Sequence, residues 1–175
     1  MNTFARIELF LAREEGTACF YTVRLSHDGE DWYELTETDD FINAFQDEDE
    51  PHFFELLQLL EIIRLRGAKQ RYFRHEGPAH ALPQGNIQLQ EKIIVNRGNH
   101  IRLYCIRLSE RIVLLMNGDL KTARDPLECP NVKRHFQLAR QLARQFDEAH
   151  RHGDLIITED EILPAEGTTQ IILEF

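Results

Sequence analysis

Six side chains between positions 71 and 121 have types suited to chemistry on a phosphodiester: Arg71, Arg74, His75, Arg102, Tyr104 and Lys121. Cleaving RNA without a metal requires activation of the 2′-hydroxyl, stabilisation of charge on the phosphate and protonation of the leaving 5′-oxygen. Arginine and lysine supply the charge, and histidine or tyrosine can move the protons. Arg71, Arg74 and His75 fall on or just after one expected strand, Arg102 and Tyr104 on one face of the next, and Lys121 just beyond a third. If those strands are neighbours, the six converge on one end of a sheet.

The elements that must hold them are legible around residues 101–122. Ile101 to Leu108 alternates Arg102 and Tyr104 with Ile101, Leu103 and Cys105, the period of a strand with two different faces. Arg111 to Met116 is a nearly unbroken apolar run, expected of a central strand, and Asn117-Gly118 is expected to end it. Gln70 to Arg74 and Lys92 to Val95 read as short strands, and Glu76 to Gln90, with its Gly, Pro and Asn, as a loop. Pro51 to Arg66 is the strongest helix signal, opened by proline and closed by Gly67. Its Phe53, Phe54, Leu56, Leu57, Leu60, Ile63 and Leu65 predict broad burial. A second helix is expected over Pro130–Arg151, with Phe136, Ala139, Leu142, Ala143 and Phe146 as its apolar stripe. On it Lys133, Arg140, Arg144 and Arg151 recur at steps of 7, 4 and 7, which bring them to one basic face.

Upstream, Arg6–Leu11 and Cys19–Leu25 read as an antiparallel hairpin that Trp32–Leu35 extends, and Thr38-Asp39-Asp40 caps a short helix through about Phe45. Downstream, Leu155–Thr158 and Gln170–Phe175 are β-prone. The expected fold is α+β: a twisted, mainly antiparallel sheet packed by two main helices, with an N-terminal hairpin extension (1–50), a basic core (51–151) and a C-terminal β tail (152–175) in a single domain over 1–175.

Charge follows the same division. The chain has 175 residues and a net charge of −10. Residues 1–60 hold 3 Lys or Arg against 15 Asp or Glu, residues 61–151 hold 17 against 9, and residues 152–175 hold 0 against 6. The three parts carry −12, +8 and −6, so a polyanion would meet the middle and avoid the ends. The first residues lack the pattern of a secretory signal and there is no apolar run of membrane-spanning length, which points to the cytoplasm. Cys19, Cys105 and Cys129 are odd in number and unpaired by any CxxC spacing, and no metal motif or cofactor fingerprint is present. His80 and His100 read as surface or loop histidines.

A strand bearing Arg102 and Tyr104, a polar turn, an apolar strand, Gly118, Lys121 and then a basic helix resembles the RelE/HigB superfamily of toxin–antitoxin ribonucleases, closest to its phage-derived HigB-like branch. The resemblance spans roughly Leu65–Ala149. It implies a metal-independent endoribonuclease that cleaves messenger RNA on the ribosome, inhibits translation and is held inactive by an antitoxin, commonly of helix-turn-helix type. By the same resemblance Arg102, Arg71, Arg74 and Lys121 match residues that bind and polarise phosphate, and the face of Lys133, Arg140, Arg144 and Arg151 would meet RNA or an acidic partner.

Two departures from that pattern keep other classes open. The usual C-terminal catalytic Tyr or His is not evident, and Asp119 places an acid near the expected phosphate. A non-catalytic binding module of the same fold and a self-associating structural protein, such as a homodimer, are the rivals. For the acidic tail, completion of the sheet is favoured over an internal cover drawn across the basic site.

Overall fold

The computed structural model describes residues 2–11 and 13–175. The described residues fold as α+β, with three α-helices around a seven-stranded, mostly antiparallel sheet. Strands β1 (Phe4–Leu9) and β2 (Cys19–Ser26) are followed by helices α1 (Glu37–Phe45) and α2 (Pro51–Arg66). Then come β3 (Arg74–Glu76), β4 (Ala79–Leu82), a separate hairpin of β5 (Ile87–Leu89) and β6 (Lys92–Val95), and the long pair β7 (Ile101–Arg107) and β8 (Ile112–Leu120). Helix α3 (Pro130–His152), the small hairpin of β9 (Leu155–Ile157) and β10 (Ile162–Pro164), and β11 (Ile171–Glu174) complete the chain.

The order across the sheet is β11-β1-β2-β8-β7-β4-β3. Every neighbouring pair is antiparallel except β2 and β8, which run parallel with Phe20 opposite Val113. Alternation along the strands divides the core into two layers. Tyr104, Ile106, Leu114, Met116, Ala79 and Ala81 face α3, whereas Leu103, Cys105, Val113, Leu115 and Leu82 face α1 and α2.

Each helix has its local cause. Thr36 caps α1, its side chain accepting from Asp39 N, and Glu37, Asp39 and Asp40 place negative charge in the first turn. In α2, Pro51 stands at the start and Glu50 caps His52 N, while Gly67, at φ 98°, releases the chain. Phe53, Leu56, Leu59 and Ile63 form its buried face, each stabilising the fold by roughly 1.5–3 kcal/mol. Burial is narrower than the sequence predicts: Phe54 is 49% and Leu65 54% exposed, and Leu57 also faces outward. Helix α3 has the larger load, laying Val132, Phe136, Ala139, Leu142, Ala143, Phe146 and Ala149 on the sheet before Gly153 ends it in the left-handed region.

Three expectations need correction. Residues 70–74 are not a strand: Gln70–Tyr72 is a 3-10 turn, and the strand starts at Arg74. The expected loop 76–90 contains β4, which lies between β3 and β7, so the three expected strands are not direct neighbours. Asn117-Gly118 does not end β8; the strand runs on to Leu120, and Gly118 sits opposite Leu103 beside a bulge at Tyr104. Trp32 adds only one bridge, to Ser26. At the other end of the chain β11 pairs with β1, at the edge furthest from β3. The last strand of the acidic tail therefore extends the sheet at the edge away from Arg74.

Among the described residues no helix is long and apolar enough to cross a membrane.

Candidate anion-binding site

On the α3 face of the sheet, alternation brings Arg74 and Glu76 of β3 and Arg102 and Tyr104 of β7 to the same side, with β4 between them. Arg74 is in register with Ala81, and Ala81 with Tyr104, so the three stand in one row. The β4 residues facing α3 are Ala79 and Ala81, both fully buried. Their small side chains leave room above β4 for the long ones on either side. Lys121 follows β8 directly, its N–H bonded to His100 O at 2.7 Å. Arg140 comes down from α3, its guanidinium 5.2 Å from the Phe136 ring. It lies against Gly77 in the β3–β4 turn, where a β-carbon would stand 3.1 Å from Arg140 Nε. Phe136 in turn meets Tyr104 edge-on, at 5.9 Å between centroids.

Arg74, Arg102, Lys121 and Arg140 all act electrostatically on one carboxylate, that of Glu76. Burial raises the Glu76 pKa, and the four cations oppose that rise without cancelling it. Among the described residues Glu76 forms no ion pair with any of them. Positive charge is therefore in excess. Burial lowers the Arg102 pKa, with the charge of Arg74 adding to it, and Lys121 is lowered by burial and then by Arg102 and Arg74. Cations pushed in that direction are stabilised by any anion that enters.

Arg102 is the centre of the cluster. It is 8% exposed, its Nη1 donates to Asn99 O at 3.1 Å and Ile101 O at 2.7 Å, and its Nε has no partner. The buried Nε atoms of Arg74 and Arg140 and the Tyr104 hydroxyl are also without partners. Unmet donors at a buried, carboxylate-poor place are costly unless a ligand meets them. Asp119 is opposite Arg102 in the register but turns back on its own chain, its Oδ1 accepting from Leu120 N at 2.7 Å. The acid expected to repel a phosphate is thus occupied locally. Tyr104 is wholly buried, and burial followed by the Glu76 charge raises its pKa. Its hydroxyl stays protonated at neutral pH.

Cys129 borders the cluster at the N-terminus of α3. Burial pushes its thiol up, but hydrogen bonds from the hydroxyl and N–H of Thr122 and the N–H groups of Ala123 and Val132 outweigh this and bring it to about 7. Burial raises the other two thiols, Cys19 and Cys105.

The remaining sequence candidates lie elsewhere. Arg71 sits on the 3-10 turn over the Tyr72 ring at 5.2 Å, and Tyr72 belongs to the core layer of α2. His75 shares the opposite face of β3 and β4 with His80, with ring centroids 5.1 Å apart. Lys133 and Arg144 are exposed on α3, and Arg151 pairs with Asp147 at 3.1 Å. Of that basic stripe only Arg140 reaches the cluster. Glu76, Asn99 and Cys129 were not singled out by sequence. Period-2 spacing from Arg74 was the available signal for Glu76, whereas Asn99 and Cys129 act through contacts that no local pattern reveals.

No family model, curated protein or solved structure matches the chain. Among the described residues no group of three or more His, Cys, Asp or Glu is placed to hold a metal ion.

Proposed function

We propose that the chain binds RNA through its phosphates at the Arg74–Arg102–Lys121–Arg140 cluster. On the resemblance to the RelE/HigB superfamily, it is the toxin of a toxin–antitoxin pair and acts on ribosome-bound messenger RNA in the cytoplasm. The observation that carries this reading is Arg102: a guanidinium 8% exposed, with no carboxylate partner and an unmet Nε, among three further cations. Such a group fits an anion better than any other ligand. The antitoxin would then be a protein whose acidic or amphipathic segment covers these cations and the exposed Lys133 and Arg144.

The complete burial of Tyr104 favours a second reading, in which the chain binds RNA without cleaving it. A hydroxyl closed off under α3 is poorly placed to relay protons to solvent. Induced expression in a bacterial host, with translation followed by label incorporation, separates the two. The toxin reading expects wild type to stop translation and Arg102→Ala and Lys121→Ala to relieve the arrest at equal protein level. A harmless wild type that still binds RNA in solution is the outcome of the binding module.

A further inference from the structure

On the other side of Lys121 a cleft of about 400 Å³ opens between the start of α2 and the end of β8, lined by Glu50, His52, His100, Leu120, Lys121 and Thr122. We infer that this cleft holds a nucleobase bearing an exocyclic amino group, attached to the phosphate that the Arg102 cluster binds; the inference rests on that phosphate reading.

Three features point to a base. The His52 and His100 rings lie 5.5 Å apart at 70°, and with Leu120 they give the cleft aromatic and apolar surface of the kind on which bases stack. The His52 ring is held in place, its Nδ1 accepting from the backbone N of His100 at 3.3 Å, and the His52 backbone is tied down where its carbonyl accepts from Asn99 Nδ2 at 3.2 Å. Glu50 uses Oε1 to cap His52 N at 3.1 Å, while Oε2 makes no hydrogen bond among the described residues. A carboxylate oxygen accepts from the amino group of adenine, cytosine or guanine, and uracil has no such group.

Lys121 belongs to both places. It lines the cleft and is coupled electrostatically to Arg102 and Arg74. Lys121 thus stands where cleft and cluster meet, and Asn99 joins the two sides by bonding His52 O while its own carbonyl accepts from Arg102 Nη1.

Isothermal titration of the full chain with ribose 5-phosphate, adenosine 5′-monophosphate and uridine 5′-monophosphate tests this. The adenine nucleotide should bind at least about fivefold tighter than ribose 5-phosphate, with the uracil nucleotide between them. His100→Ala, at an exposed position, should remove the advantage of the base, and His100→Phe should restore it. If all three ligands bind equally and Arg102→Ala weakens all three, the cleft takes no base and the phosphate reading stands. A base advantage that survives His100→Ala also overturns the inference. If none of the three binds, the phosphate reading falls and the cleft falls with it. Triadenylate distinguishes the source: affinity more than about tenfold above the mononucleotide assigns an RNA strand, and equal affinity a free nucleotide, each consistent with a base in the cleft.

Discussion

Asn99 Nδ2 donates to Glu55 Oε2 at 2.6 Å, which ties the segment before β7 to the first turns of α2. The same residue accepts Ile101 N on its Oδ1 at 3.0 Å and Arg102 Nη1 on its carbonyl at 3.1 Å. The backbone carbonyl that accepts from the guanidinium at the centre of the basic cluster is thus anchored through a carboxylate on the opposite side of the sheet. Glu55 also accepts from Asn96 N and Asn96 Nδ2. Asn99→Ala leaves Ile101 N unpaired in the core, at a cost of about 1–3 kcal/mol in thermal or denaturant unfolding. It should also weaken phosphate binding, although Asn99 carries no charge, because the carbonyl that accepts from Arg102 loses its anchor to α2.

Gly118 allows β7 and β8 to close on each other beside the bulge. A β-carbon there would stand 1.7 Å from Arg102 O, a backbone atom that cannot step aside. Gly118→Ala should destabilise the protein by about 3 kcal/mol or more, or prevent folding. Gly98, with open space around its β-carbon position, makes the comparison useful. Its φ of 79° still strains alanine, but the cost there should be nearer 1 kcal/mol. Equal unfolding midpoints for the two variants would contradict the account of Gly118.

His80 makes stability fall in acid. Its pKa is lowered to about 4, by burial first and then by the charges of His75 and Arg107, and its Nδ1 accepts from Arg107 N at 3.2 Å. The unfolded chain takes up the proton near pH 6.5 and the folded chain only near 4. The stabilisation is full above pH 6.5 and is lost as the pH falls toward 4, by on the order of 2 to 3 kcal/mol. Denaturant unfolding at pH 7 and at pH 4.5 checks this, and His80→Gln should flatten the difference.

Local patterns revealed the elements more readily than their neighbours. The 51–66 helix was legible from its proline, its glycine and its apolar spacing, and β7 from strict alternation. β4 was hidden because Ala79 and Ala81 are small and lie in a stretch rich in Gly and Pro. Their size matters only once Arg74 and Tyr104 stand on either side. The parallel pairing of β2 with β8, and the place of β11 beside β1, depend on long-range packing that no window of sequence contains. Within the site, Arg74, Arg102, Tyr104 and Lys121 could be selected by type and spacing. Arg71 and His75 could not be separated from them, because a one-residue error in where β3 begins exchanges the faces of the sheet.

The most direct test of the central claim is the salt dependence of RNA binding, measured by equilibrium titration of a short single-stranded oligoribonucleotide against wild type and Arg102→Ala. If Arg102 holds a phosphate, wild type binds with an affinity that falls steeply with salt, and the variant binds more weakly with a slope smaller by about 1. Identical affinity and slope for the two proteins, or no binding by wild type at low salt, would contradict it.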